Sequence, residues 1–167
     1  MQNDTGIDSL DLKILKALQA NSRKPFQEIA RDLNISGGTV HVRVNKMKDL
    51  GIIEGTRLIL NPMKLGYDVS AYVGVNLHNA RDCDIVVEKI RDFKEIQEVH
   101  YTTGEYSMFL KVYARTTKGL HNFLANKLHA LPEIQSTETF ISLDKPFERD
   151  IPIELDVSDS SDVISDI

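Results

Sequence analysis

The side chains best suited to chemistry with another molecule cluster between Ser36 and Lys48. Val40, Val44 and Met47 recur there at helical spacing and mark a buried stripe. That stripe leaves Gly38, Thr39, His41, Val42, Arg43, Asn45 and Lys46 exposed. Arg, Lys and Asn suit guanine and adenine edges, and small residues let a helix approach the major groove closely. The same residues also describe a solvated polar face on an ordinary helical hairpin. Spacing alone leaves both readings open.

No other constellation has catalytic spacing. The five histidines, at 41, 78, 100, 121 and 129, form no His-x-x-x-His pair, and none stands at metal-ligand spacing from Cys83. Asp82 and Asp84 flank Cys83 and disfavour a thiolate. There is no Walker-type loop and no Gly-x-Gly-x-x-Gly. The sequence therefore predicts no enzyme, no catalytic residue, no metal site and no cofactor.

The 167 residues are 41% hydrophobic and 27% charged, which excludes a wholly disordered or fibrous chain. No apolar run approaches about 18 residues and no secretory signal is evident, so a cytoplasmic protein with no membrane partner is expected. The single Cys83 fits a reducing compartment. The net charge of −5 taken whole would argue against nucleic acid. Its distribution does not: residues 1–57 carry +2, residues 58–143 carry −1 and residues 144–167 carry −6.

The elements that would position these side chains follow from period and caps. Asp8 or Ser9 starts a helix over 8–20 with Leu10, Ile14, Leu15 and Leu18 on one stripe. Pro25 opens a second over 25–33, with Phe26, Ile29, Ala30 and Leu33 inward. Ser36 caps a third over 37–49, closed by Gly51. Three short helices with a tight turn at Asn34-Ile35 predict a helix-turn-helix. Ile52-Ile53 and Arg57–Leu60, around Glu54-Gly55, read as a small ribbon that Asn61-Pro62 breaks.

Beyond it the period becomes that of strands. Val69–Leu77, Ile96–Thr103, Ser107–Ala114 and Ile134–Leu143 read as strands. The second and third form a hairpin around Gly104-Glu105. Helices are predicted over Asp84–Phe93, with Ile85, Val86, Ile90 and Phe93 inward, and from Leu120 to Leu131. The order β-α-β-β-α-β is the ferredoxin-like split unit, so the expected class is α+β. The expected domains are a winged helix-turn-helix at 1–55, a β linker at 56–67, the ferredoxin-like unit at 68–146 and an acidic tail at 147–167. The tail is read as packed to about Leu155 and disordered beyond it.

The chain resembles the Lrp/AsnC regulators, the feast/famine transcription factors. The motifs that carry this are Asp8-x-x-Asp11-x-x-Ile14-Leu15, Asn21-x-Arg23 and Glu28-Ile29-Ala30, followed by Ser36-x-x-Thr39-Val40-x-x-Arg43-Val44 and Gly51-Ile52-Ile53-x-Gly55. Gly38–Val44, Leu65–Val69, Tyr101–Ser107 and Ile134–Thr139 are similar to the asparagine-responsive branch. The resemblance covers about residues 8–146 and leaves the tail out.

The resemblance implies a sequence-specific DNA-binding regulator whose homodimers assemble to octamers and bind a palindromic operator on double-stranded DNA. It assigns Thr39, His41 and Arg43 to base or groove contacts and Arg23, Lys46, Lys48 and Arg57 to phosphates, with Ser36, Gly38 and Asn45 on the same surface. It implies an amino-acid effector, asparagine, held by the hairpin Tyr101, Thr102, Thr103, Gly104, Glu105, Tyr106 and Ser107. The fourth strand helps through Gln135, Ser136, Thr137, Glu138 and Thr139. Ser107 stands where many relatives carry Asp, which favours an effector with a neutral polar side chain. Alternative readings are an amino-acid-binding module without DNA binding, a regulator responding to leucine or methionine, and an enzyme on the same fold.

Overall fold

The computed structural model describes residues 6–154 and divides into two compact units. One comprises residues up to Leu58 together with the segment from Arg149, and the other runs from Ile59 to Glu148.

In the first unit, α1 spans Ser9–Ala20, α2 Phe26–Asp32 and α3 Gly37–Asp49. Local chemistry sets each start. The Asp8 carboxylate accepts from the Leu10 and Asp11 amides, while Asp11 accepts from the Asp8 amide, a reciprocal capping box. Ser36 Oγ accepts from the Thr39 amide and caps α3. Pro25 lies just outside α2 as its N-cap rather than within its first turn, because its extended backbone does not join the helix. Asn34 takes a left-handed conformation between α2 and α3, and Gly51 does the same after α3 at φ 71°. The stripes meet in a core of Ile14, Ile29, Ala30, Val40, Val44 and Met47. Ile151 runs beside α1, where its carbonyl accepts from Gln19 Nε2 at 2.9 Å. The expectation of a disordered end concerns residues outside those described.

The second unit is a four-stranded antiparallel sheet in the order β2-β3-β1-β4. The strands are β1 Val69–Leu77, β2 Ile96–Tyr101, β3 Met108–Ala114 and β4 Ile134–Ser142. Helix α4, Cys83–Ile90, joins β1 to β2. Helix α5, Thr117–Phe123, continues through a wider helical turn at Leu124–Leu128 before β4. Alternation along β1 buries Val69, Ala71, Val73, Val75 and Leu77 with Met108, Leu110, Val112 and Ala114 of β3. Val86, Ile90, Leu120, Phe123 and Leu128 cover them. The other sheet face carries Tyr72, Gly74, Phe109, Lys111, Glu138 and Phe140. Phe109 stacks on Phe140 there, and Tyr72 and Phe140 are left exposed.

Three local expectations are corrected. Helix α4 ends at Ile90, three residues short of Phe93, and only Val86 and Ile90 fall on its inner stripe, so Ile85 points outward and is half exposed. The strand leading into the hairpin stops at Tyr101. The expected ribbon over 52–60 forms no strand among the described residues. A strand needs a neighbour for its amides, and this segment pairs with nothing in a single chain. It leaves Leu58, Ile59 and Leu60 strongly exposed.

Candidate DNA-binding and effector sites

The helical unit presents Gly38, His41, Val42, Asn45, Lys46 and Lys48 outward from α3, with Thr39 partly covered. Arg23 and Arg57 are also exposed. Ser36 is engaged in capping, with its Oγ 2.8 Å from Thr39 Oγ1. The Asn45 amide lies 3.2 Å from His41 Nδ1, and the His41 ring stands edge-on to Phe26. Val42 was not assigned a role from sequence, yet its side chain is 68% exposed at the middle of the helix. An apolar group there suits a thymine methyl. Its signal was its absence from the buried stripe.

Arg43 is placed differently from the expectation. Its guanidinium donates to Asp8 Oδ2 at 2.7 Å and to Asp11 Oδ1 at 2.8 Å, with Lys46 Nζ 3.4 Å from Asp11 Oδ2. Asp11 is fully buried, and the Arg43 side chain is only a quarter exposed. Arg43 therefore pins α3 to the start of α1, so its guanidinium is engaged within the chain rather than free on the helix face, as the sequence led one to expect. The Arg43 hydrogen bond, aided by the Asp11 amide, lowers the Asp8 carboxyl to about 2. Burial opposes ionisation of Asp11, but hydrogen bonds from Arg43 and the Asp8 amide outweigh it and hold its carboxyl below the ordinary value. Asp8, Arg43 and Lys46, with Gly38, Thr39 and Val42, line a shallow cleft of about 450 Å³, while Asp11 stays buried. Two carboxylates and two cations balance in the Asp8–Asp11–Arg43–Lys46 cluster.

In the second unit, Tyr101–Ser107 line a cleft of about 460 Å³ together with Ala80, Cys83 and Asp84. The hairpin is held by a hydroxyl of its own and by backbone bonds. Thr102 Oγ1 donates to the Tyr106 carbonyl at 2.5 Å, and the Ser107 amide donates to the Val75 carbonyl at 2.9 Å. Asp84, unassigned from sequence, accepts from the Tyr101 hydroxyl at 2.8 Å and so raises the pKa of that phenol. It stands at the start of α4, and only the tertiary fold brings it here. The cleft thus offers hydroxyls and amides at the hairpin and carboxylates at Asp84 and Glu105. No group of three or more His, Cys, Asp or Glu among the described residues is arranged to hold a metal.

The β4 candidates do not gather in this cleft. Ser136 and Glu138 pair with Asn76 and Gly74 on the open sheet face, whereas Thr137 and Thr139 pair with Val75 and Val73 on the helix-covered face. Thr137 Oγ1 meets His129 Nε2 at 2.7 Å, and Gln135 falls at a register irregularity. Five consecutive strand residues alternate between faces, so they cannot converge on one ligand from one chain. Glu138 alone is tied to the hairpin, accepting from the Tyr106 hydroxyl, which raises that phenol to about 12.

A helix-turn-helix unit with a polar outer helix is followed by an antiparallel βαββαβ unit with a cleft at its hairpin, the arrangement of a DNA-binding regulator joined to a small-ligand domain. Comparison with known proteins narrows the class. Residues 7–54 match a family described as winged helix-turn-helix DNA-binding, and residues 70–152 match the Lrp/AsnC ligand binding domain. Regulatory protein AsnC of Haemophilus influenzae is 50% identical over 145 residues, covering 87% of this chain and 97% of that protein. The AsnC of Escherichia coli K12 is 46% identical, with 87% and 95% covered. The solved structure of Escherichia coli AsnC superposes with a TM-score of 0.83 at 45% identity, covering 87% of this chain and 97% of that one. A Neisseria meningitidis regulator solved with L-methionine shares the fold, at a TM-score of 0.79 and 22% identity over 85% of this chain and 93% of that one. The chain belongs to the Lrp/AsnC family of transcriptional regulators.

Proposed function

We propose that the chain senses asparagine and regulates transcription from palindromic operators in the cytoplasm as an assembly of dimers. The observation that carries the effector reading is the hairpin cleft. It sets the hydroxyls of Thr102, Thr103 and Ser107, with backbone amides, near the carboxylates of Asp84 and Glu105. A zwitterion needs donors for its carboxylate and an acceptor for its ammonium, and a neutral Ser107 suits an amide side chain. The names of the AsnC relatives support asparagine in particular.

Dimer formation is supported by two surfaces that a single chain leaves open. One is the sheet face bearing Tyr72, Phe109 and Phe140, and the other is Leu58-Ile59-Leu60, with Ile59 91% exposed. A palindromic operator asks such a dimer to offer two α3 helices to half-sites about one DNA turn apart, with Thr39, His41, Val42 and Asn45 toward bases and Arg23, Lys46, Lys48 and Arg57 toward phosphates. Octamers follow from pairing of such dimers around the effector clefts. Thermal shift with all twenty amino acids, paired with gel shifts on its own promoter, tests this. A ligand bound only by the native state raises the melting temperature. Asparagine is expected to do so and to change the gel shift. A response to leucine or methionine in its place assigns another effector, and no operator binding at all refutes the regulator reading.

A further inference from the structure

Gly74 lies buried in the middle of β1, on the sheet face away from the helices, a position where glycine ordinarily weakens a strand. The reason lies across the sheet. A Cβ on Gly74 would stand 2.6 Å from Tyr106 Cδ1 and 2.7 Å from its Cγ, so the phenol ring occupies the space that a side chain would need. The close atoms are at the root of the ring, which a small swing at its far end cannot relieve. The ring meets Phe109 edge-on at 5.3 Å between centroids, and its hydroxyl donates to Glu138 on β4. The Tyr106 carbonyl accepts from Thr102 Oγ1 across the hairpin. One residue thus has its backbone in the hairpin that lines the cleft and its side chain seated over β1 and tied to β4.

We infer that Tyr106 is a positioning residue for the effector cleft: seated on Gly74 and held by Glu138, it fixes the hairpin in the shape that receives the amino acid. This rests on the reading of the cleft as the effector site. It also gives Glu138 a role that does not involve touching the ligand, and leaves Asp84 and Glu105 to face the ammonium. The hairpin is short, exposed at Thr102–Glu105, and has few cross-strand bonds of its own beyond Thr102–Ser107, so an anchor outside it decides how ordered it is.

The test compares Tyr106→Phe, Glu138→Gln, Glu138→Ala and Gly74→Ala in the full chain. Asparagine affinity is read by titration calorimetry, assembly by sedimentation, and order of residues 101–107 by hydrogen exchange without ligand. Y106F keeps the ring and loses one bond. It is expected to bind about tenfold more weakly, the equivalent of roughly 1.4 kcal/mol. E138Q retains an acceptor for the phenol and is expected to bind within about twofold of the parent, while E138A resembles Y106F. G74A displaces the ring and is expected to exchange hairpin amides faster, as is Y106F; because these residues share the sheet face of Tyr72, Phe109 and Phe140, affinities are compared at concentrations where sedimentation shows the parent's assembly.

Parental affinity and exchange in Y106F overturn the inference. So does E138Q as weak as E138A, which puts the Glu138 charge on the ligand itself. Altered sedimentation that accounts for the affinity loss makes Tyr106 an assembly residue and also overturns it. If the parent binds no asparagine, the effector reading fails separately, and hydrogen exchange alone decides the anchor: faster exchange in Y106F and G74A upholds it and unchanged exchange refutes it.

Discussion

Arg43→Ala is the substitution that separates the two roles open to this residue. Removing the guanidinium leaves the fully buried Asp11 carboxylate without its 2.8 Å partner and beside a second carboxylate, Asp8. Deleting one partner of a fully buried ion pair costs about 3–5 kcal/mol. Here the Arg43 side chain is 26% exposed and Lys46 remains 3.4 Å from Asp11, so the loss is smaller. A figure of about 2–3 kcal/mol follows, which for so small a unit lowers its melting temperature by roughly 10–20 °C.

The pH dependence has a definite sign. Asp8 and Asp11 ionise below their ordinary values in the folded parent. Their stabilisation is therefore complete above about pH 4 and is lost as the pH falls toward about 2. Without Arg43, burial dominates at Asp11 and raises its carboxyl, so the variant recovers stability on acidification from about pH 7 toward about pH 4. The gap between parent and variant narrows over that range. Calorimetry of the full chain, with hydrogen exchange in α1 and α3, reads both effects. Paired Asp11→Leu and Arg43→Leu substitutions, which leave no orphan charge, are expected to restore most of the stability. If R43A melts within about 2 °C of the parent yet loses operator binding, the ion pairs are incidental and Arg43 acts on DNA directly.

Two further outcomes follow from the same structure. Asp8→Asn keeps an oxygen to cap α1 but removes one negative charge from the recognition surface. Affinity for non-specific duplex should rise, and the salt slope should steepen by about 0.9 if one more cation then reaches phosphate; fluorescence anisotropy over a salt series measures this, and an unchanged slope means that Asp8 restrains no DNA contact. Ile59→Asp places a charge in the exposed Leu58-Ile59-Leu60 segment, and sedimentation should show the dimer weakened while circular dichroism is unchanged; an intact dimer removes that segment from the interface.

Much of the fold was written in local chemistry. The Asp8 and Ser36 caps, the left-handed Gly51 and the alternation of Val69–Leu77 each act within a few residues, so composition and period suffice to locate them. The residues Tyr101–Ser107 that line the hairpin cleft are contiguous, and the family resemblance singled them out as one loop. The same reasoning failed at Ile85, where a two-turn helix offers the sheet only a narrow stripe, and at residues 52–60, where strand pattern meets no strand partner.

By itself, then, the sequence determined the two kinds of unit, the polar recognition helix, the basic head with its acidic end, and the family. Tertiary structure decided what several of the charged and aromatic residues do. Asp8 meets Arg43 across 35 residues, Tyr101 meets Asp84 across 17, and Tyr106 meets Glu138 across 32 while its ring occupies the space over Gly74. No periodicity links such positions. An arginine on an exposed helical face looks free until a buried carboxylate is brought to within 3 Å of it. A glycine in a strand looks like a weakness until an aromatic ring fills the place of its missing side chain.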